Sequence, residues 1–177
     1  LHFGMFDSAA IDLMLENNIT PVLSSLSDFD AVLKAQKKRG VSDPLAVHLE
    51  LNTGMNRLGI PVEETVNFAK RLAESKADIR LEGLCTHFSD GEDFGVSGGR
   101  TEEQMRLFRM ADANLRSAGL GDYHLHVANS YATAAILDLQ RKGRHVGDDL
   151  GIRPGISLYG VEPEKKIGVR QVMELRS

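Results

Sequence analysis

Four short stretches of this chain gather residues that bind anions or move protons: HLELNTGMNRLGI (His48 to Ile60), LCTHFSD (Leu84 to Asp90), HVANSYATA (His126 to Ala134) and GIRPGISLYG (Gly151 to Gly160). In the first, Gly54 permits close backbone approach or a positive φ, and Arg57, six residues beyond Leu51, carries a planar donor fork suited to a carboxylate or phenolate. The same arginine would serve equally as a solvated surface group. His87 closes an apolar strand, where a lone histidine more often completes a core than catalyses. Asn129 and Ser130 stand at a strand-to-helix switch, so the hydroxyl and the free helix-start amides make either an anion site or an ordinary helix cap. Arg153, Gly155 and Ile156 lie in a second glycine-flanked turn after the following strand. Paired anion sites after two consecutive late strands are how many barrels hold a phosphorylated ligand. His124 and His126 share a strand face and could join His87 around a metal, but no Asp or Glu falls at a strand end beside them, so no metal is expected. Dinucleotide fingerprint, Walker loop and Ser-His-Asp elbow are absent from the sequence.

The elements that must position these groups follow a βα rhythm. Short β-branched runs predict strands near Pro21 to Ser25, Ala46 to Leu51, Leu81 to His87, His124 to Asn129 and Ile152 to Tyr159. Between them, helical spacing predicts a helix over Ser8 to Asn18, one starting at Ser27 with Asp30 three residues on and stopping at Gly40, and one with Pro61 in its first turn. That last helix shows Val62, Val66, Ala69 and Leu72 on one side. Thr101 with Gln104 reads as a capping box ahead of Met105, Phe108, Ala111 and Leu115, and Ser130 to Gln140 supplies a further helix. Gly91 to Gly99 reads as a flexible loop. At about 30 residues per unit the chain holds close to six βα units, two fewer than a closed eight-unit barrel. The fold class expected is α/β, an incomplete (β/α)8 barrel, or else a doubly wound sheet. Residues 1–160 form the barrel part and residues 161–177 an exit segment opening a further β-rich domain.

Composition sets the outer bounds. Of 177 residues, 42% are hydrophobic and 26% charged, which suits one globular domain with a sizeable core. No apolar run of about 18 residues exists to span a membrane. Leu1 to Phe6 lack the pattern of a secretory signal, so the cytoplasm is expected. The single cysteine, Cys85, sits in an apolar run and reads as a buried reduced thiol. The net charge of −4 carries no basic stripe, and the cluster Lys37, Lys38, Arg39 falls where a helix ends and complements its dipole, so nucleic acid is not an expected partner.

Taken together, NTGMNRLG, THFS, HVANS and RPGISLYG resemble, in order and wording, the motifs of the alanine racemases, a family with an eight-stranded barrel followed by a β-rich domain. The resemblance covers nearly the whole chain. It implies a pyridoxal 5′-phosphate enzyme, usually a homodimer, that interconverts L- and D-alanine through a pyridoxal phosphate aldimine and so supplies D-alanine for peptidoglycan precursors. It implies that Arg57 contacts the cofactor's phenolic oxygen and the substrate carboxylate, and that Arg153 hydrogen-bonds the pyridine nitrogen with support from His87. Asn129 would join the same polar layer, and Ser130 with the backbone of Gly155 and Ile156 would bind the phosphate. A guanidinium leaves the ring nitrogen unprotonated and weakens the electron sink, which suits a racemase.

The chain also departs from the family pattern. The family's anchor lysine, on the first barrel strand, and its tyrosine base, from the partner's C-terminal domain, have no counterpart among the chain's lysines or among Tyr123, Tyr131 and Tyr159. The 177 residues alone are therefore expected to be inactive. Glu50 stands where many members have a carbamylated lysine that orients the first arginine, and Asn52 replaces a common aspartate. Glu50 either supplies that negative charge to Arg57 directly or is a solvated edge residue. A serine or broad-specificity racemase and a non-catalytic cofactor-binding module remain the alternative functions.

Overall fold

The computed structural model describes residues 1–4, 7–40, 42–144, 146, 149–161 and 167–173. The elements run β1 (His2–Phe3), α1 (Ser8–Glu16), β2 (Pro21–Leu23), α2 (Leu26–Arg39), β3 (Leu45–Asn52), β4 (Ile60–Pro61), α3 (Thr65–Glu74), β5 (Ile79–Thr86), α4 (Arg100–Ser117), β6 (His124–Ala128), α5 (Ser130–Arg141) and β7 (Leu150–Ile152). All strand pairs are parallel, in the spatial order β1-β2-β3-β5-β6-β7, with the short β4 beside the end of β3. Each long-range strand lies beside its predecessor, the order of a barrel wall, whereas a doubly wound sheet reverses partway. The fold is thus a parallel half-barrel backed by helices.

Register explains which residues face the barrel interior. Leu23, Leu49, Leu84, Leu125 and Leu150 pair in a continuous row across five strands. All but Leu150 are buried in the helix-side core, with Phe29, Phe68, Phe108 and Leu115. Because side chains alternate across a strand, the rows on either side of the leucines face inward. One such row is Val22, His48, Gly83 and His124, and the next is Glu50, Cys85, His126 and Gly151. The interior is therefore polar at mid-height, and Cys85 within it is a buried free thiol that burial pushes up to about 12.

Several local expectations need correction. The last strand ends at Ile152, and Ile156–Tyr159 form a 3-10 turn rather than the end of a strand, because Pro154 and Gly155 stop the ladder. Helix α2 starts at Leu26, two residues before the predicted stretch, because extended Ser25 caps it and accepts from the Asp28 amide at 3.0 Å. Its other end matches, with Gly40 left-handed after Lys37, Lys38 and Arg39. Pro61 precedes a separate 3-10 turn, Val62–Glu64, and Val66 on α3 points outward while Phe68 fills the core. Thr101 and Gln104 form no capping box: the Asp93 carboxylate accepts from the Arg100 and Thr101 amides at 2.6 and 3.1 Å, performing the cap from the preceding loop. That loop is partly ordered by a 3-10 turn at Gly91–Asp93. Of the predicted exit segment, residues 162–166 and 174–177 lie outside the described residues. The described remainder includes Val172, whose amide bonds the Tyr159 carbonyl at 3.2 Å.

Candidate functional site

The carboxyl ends of the strands bring the four motifs together. The best-defined group is Arg153, just past β7. Its Nη2 donates to the Thr86 carbonyl at 2.7 Å, and its Nη1 reaches both the His126 carbonyl and His126 Nδ1, the latter at 2.7 Å. Burial lowers its pKa, opposed by Cys85 and Glu50. The guanidinium also lies over the Phe3 ring, 5.8 Å from its centroid. Its Nε hydrogen and one Nη2 hydrogen have no partner among the described residues.

The imidazole that supports Arg153 is His126, not His87. Pairing of His126 with Glu50, Cys85 and Gly151 shows that it faces the interior from β6, one strand from Arg153, while His87 has already left β5. Burial and then the charge of Arg153 push His126 down to about 3. His87 is half-buried, and burial, then Arg57 and Arg153, lower its pKa too. Its carbonyl, rather than its ring, is tied into the structure, accepting from Gln104 at 3.1 Å. The parity of His126 on its strand was the signal available in sequence. The motif containing it was recognised, but the role went to the wrong histidine.

An anion cradle lies beside Arg153. Ser130, the first residue of α5, accepts at Oγ from the amides of Gly155 at 2.9 Å and Ser157 at 3.3 Å. The Ile156 amide between them and the buried Ser157 hydroxyl have no partner among the described residues. Asn129 caps α5 by accepting from the Ala132 amide at 3.0 Å, and its own amide donates to the Phe88 carbonyl at 3.3 Å. It therefore anchors the loop after β5 to the start of α5.

On the other side of the mouth, Arg57 is exposed and lines a cavity of about 370 Å³ with Ser24, Asn52 and Asn56. The loop carrying it is built by Asn52, whose Oδ1 accepts from the Gly54 and Asn56 amides at 3.1 and 3.0 Å. At Gly59, φ is +104° and a Cβ would meet the Asn52 nitrogen at 2.6 Å, so only glycine lets the loop fold back beside β3. Glu50 is 4% exposed and is thus no solvated edge residue. Its carboxylate accepts from Ser24 Oγ at 3.3 Å, and no direct ion pair to Arg57 is found among the described residues. Burial raises its pKa, while Ser24, Arg153 and Arg57 pull it back.

One buried group that sequence reading misassigned holds the loops together. Gln104, from α4, donates to Thr53 Oγ1 at 3.2 Å as well as to the His87 carbonyl, and accepts from the Ser89 amide at 3.0 Å. Thr53 in turn bonds Thr86 at 2.7 Å. The loops after β3 and β5 thereby share one clamp. Among the described residues no cluster of three His, Cys, Asp or Glu could hold a metal, and no helix is long and apolar enough to cross a membrane.

The family described as alanine racemase, N-terminal domain, matches residues 1–163. This chain belongs to that family. An alanine racemase of Geobacter sulfurreducens is 38% identical over 74% of this chain and 33% of its own length. Among solved structures, the alanine racemase of Clostridium difficile superposes with a TM-score of 0.74 at 27% identity, over 95% of this chain and 41% of that one. The Bartonella henselae alanine racemase, solved with covalently bound pyridoxal phosphate, gives a TM-score of 0.66 at 26% identity, over 94% and 42% of the two chains. The racemase-family chain described here thus spans less than half the length of the relatives it matches.

Proposed function

We propose that this chain supplies the pyridoxal 5′-phosphate and substrate-carboxylate side of a racemase site, and that the whole protein interconverts L- and D-alanine. The observation that carries this reading is the pairing of a donor-only guanidinium, fixed by His126 and Thr86, with the Ser130 cradle two residues further on. The donor set suits the cofactor. The unpaired Ile156 amide, the Ser130 hydroxyl and the start of α5 offer hydrogen bonds to a phosphate, and the unspent edge of Arg153 offers them to a ring nitrogen. When bound, pyridoxal phosphate supplies the electron sink that lets an α-proton leave.

Each residue then has a definite task. Arg153 cannot accept a proton and cannot give one up near neutral pH, so it hydrogen-bonds the ring nitrogen and leaves it unprotonated. That keeps the sink weak and favours return of a proton over transfer of the amino group. Arg57 reaches from its loop toward the substrate carboxylate and the phenolic oxygen, and Asn129 and His87 complete the polar layer. Lys34, Lys37 and Lys38 lie on α2, Lys70 on α3, Lys76 just after it and Lys142 at the end of α5, away from the strand ends. Residues 1–177 alone should therefore neither racemise alanine nor trap the cofactor on borohydride reduction, and detecting either result would mean that a lysine of this chain reaches the mouth. For the intact protein, expected to be a homodimer, the test is racemisation of L-alanine followed with a D-amino-acid oxidase. No turnover of alanine overturns the reading, and turnover of serine in its place reassigns the substrate.

A further inference from the structure

Resting on the reading of Arg153 as the partner of the cofactor ring nitrogen, we propose that His48 and Glu82 are positioning residues. Acting through His126, they fix which nitrogen of that imidazole is bare and so hold the Arg153 guanidinium at the mouth. The argument is one of donors and acceptors. A guanidinium only donates, so His126 Nδ1, 2.7 Å from Arg153 Nη1, presents a lone pair. The proton of this neutral imidazole then sits on Nε2, which lies 2.7 Å from His48 Nδ1. His48 Nδ1 must accept, which places the His48 proton on Nε2. The group 3.7 Å beyond that nitrogen is Oε2 of Glu82, an acceptor, and Arg80 holds its other oxygen at 3.2 Å. Every link therefore runs in one direction, from the mouth to the opposite end of the half-barrel. The reverse direction fails at Arg153, which has no lone pair.

The backbone is shaped around this line. A Cβ at Gly83 would stand 2.2 Å from His48 Nδ1, so the imidazole occupies space that only glycine leaves. The pairing of β3 with β5 shifts between Val47 and His48, which makes Glu82 an extra residue on β5 and sets it next to the ring. The groups facing His48 are Glu82 from β5, His126 and His124 from β6, and the amino group of Leu1 ahead of β1. Burial outweighs the pull of Glu82 and keeps His48 below its usual pKa. A second proton on His48 would set two N–H groups against each other across 2.7 Å, turn the His126 tautomer and cost Arg153 its acceptor.

The test reads tautomers directly, by long-range ¹H–¹⁵N correlation on the intact protein with ¹⁵N-labelled histidine at pH 8. His126 and His48 are both expected as the Nε2–H form. A wild-type Nδ1–H form of His126 overturns the proposal without any variant. His48→Phe and Glu82→Leu, which remove the acceptors, are expected to leave His126 in mixed tautomers. His48→Gln and Glu82→Gln, which keep an acceptor oxygen, are expected to restore the single form. In the cofactor-loaded protein, kcat for alanine should fall about tenfold in the first pair, the scale on which a partner orienting a functional imidazole acts, and recover in the second, with KM little changed. A single Nε2–H signal that persists in folded His48→Phe overturns the proposal. If the tautomers are as expected but the protein takes up no cofactor, the histidine line stands and the reading of Arg153 fails.

Discussion

The two arginines at the mouth of the half-barrel are held in opposite ways. Arg153 has acceptors on two carbonyls and one imidazole before any ligand arrives, whereas exposed Arg57 has no hydrogen bond among the described residues. A guanidinium whose bonds are already made loses little freedom when it meets a ligand, and its direction is set by the fold. One that waits on a loop is ordered by the ligand itself. In the proposed site the permanent cofactor would meet the fixed arginine, and the transient substrate the free one.

The contrast makes graded predictions. The largest concerns Arg153→Ala, which strands His126 Nδ1 and the Thr86 and His126 carbonyls. Denaturant unfolding of the intact protein should show a loss of about 3 kcal/mol, and a loss below about 1 kcal/mol would mean that the guanidinium is not part of the fold. Gly83→Ala drives a methyl into His48 and should cost about 2 kcal/mol in the same measurement. Lowered histidine pKa values mean that the folded state binds fewer protons than the unfolded one below pH 6.5. Stability should therefore be steady above about 6.5 and fall as the pH drops toward 4, by up to about 1.4 kcal/mol per pH unit for each imidazole. Thermal melting of His126→Asn should flatten part of that slope, and an unchanged slope would place the acid sensitivity elsewhere.

Glu50 titrates in the opposite sense. Its raised pKa gives stability that is held at low pH and lost as the pH rises through the carboxyl range. Glu50→Gln keeps a partner for Ser24, so it should melt higher than the parent, with a wider gap at pH 8 than at pH 4. An equal gap at both would show that the carboxyl is not perturbed. Arg57→Ala should be the mildest for the fold, within about 0.5 kcal/mol, while raising KM for alanine about tenfold through loss of a charge-assisted bond. A large loss of stability would show that Arg57 has a structural partner.

Much of this layout was legible in the chain because its causes are local. Gly40 ends a helix wherever it needs a left-handed residue, and Asn129 with Ser130 caps one whichever sheet precedes it. The row of leucines follows from alternation. What could not be read were contacts created by register. His126 meets Arg153 and His48 only because three strands align, and nothing in the spacing of HVANS says which side of β6 faces inward. Thr101 and Gln104 have the letters of a capping box, but Asp93, from the preceding turn, took the cap and freed Gln104 to join two loops. Glu50 was read as a partner for Arg57 or a surface group, and became a buried carboxylate because β3 packs its inner face against Cys85.

The shift in pairing at Val47 and His48 has a consequence for how this strand tolerates change. Since Leu81 pairs with Val47 and Gly83 with His48, Glu82 is a supernumerary link in the ladder. Excising it would leave Leu81 outward, Gly83 inward and Leu84 outward, the alternation of an uninterrupted strand. Removal of any other residue of β5 would instead invert the faces of the segment after it. Position 82 is thus the one place in this strand where the topology would forgive a lost codon, and its retention is answerable to chemistry alone.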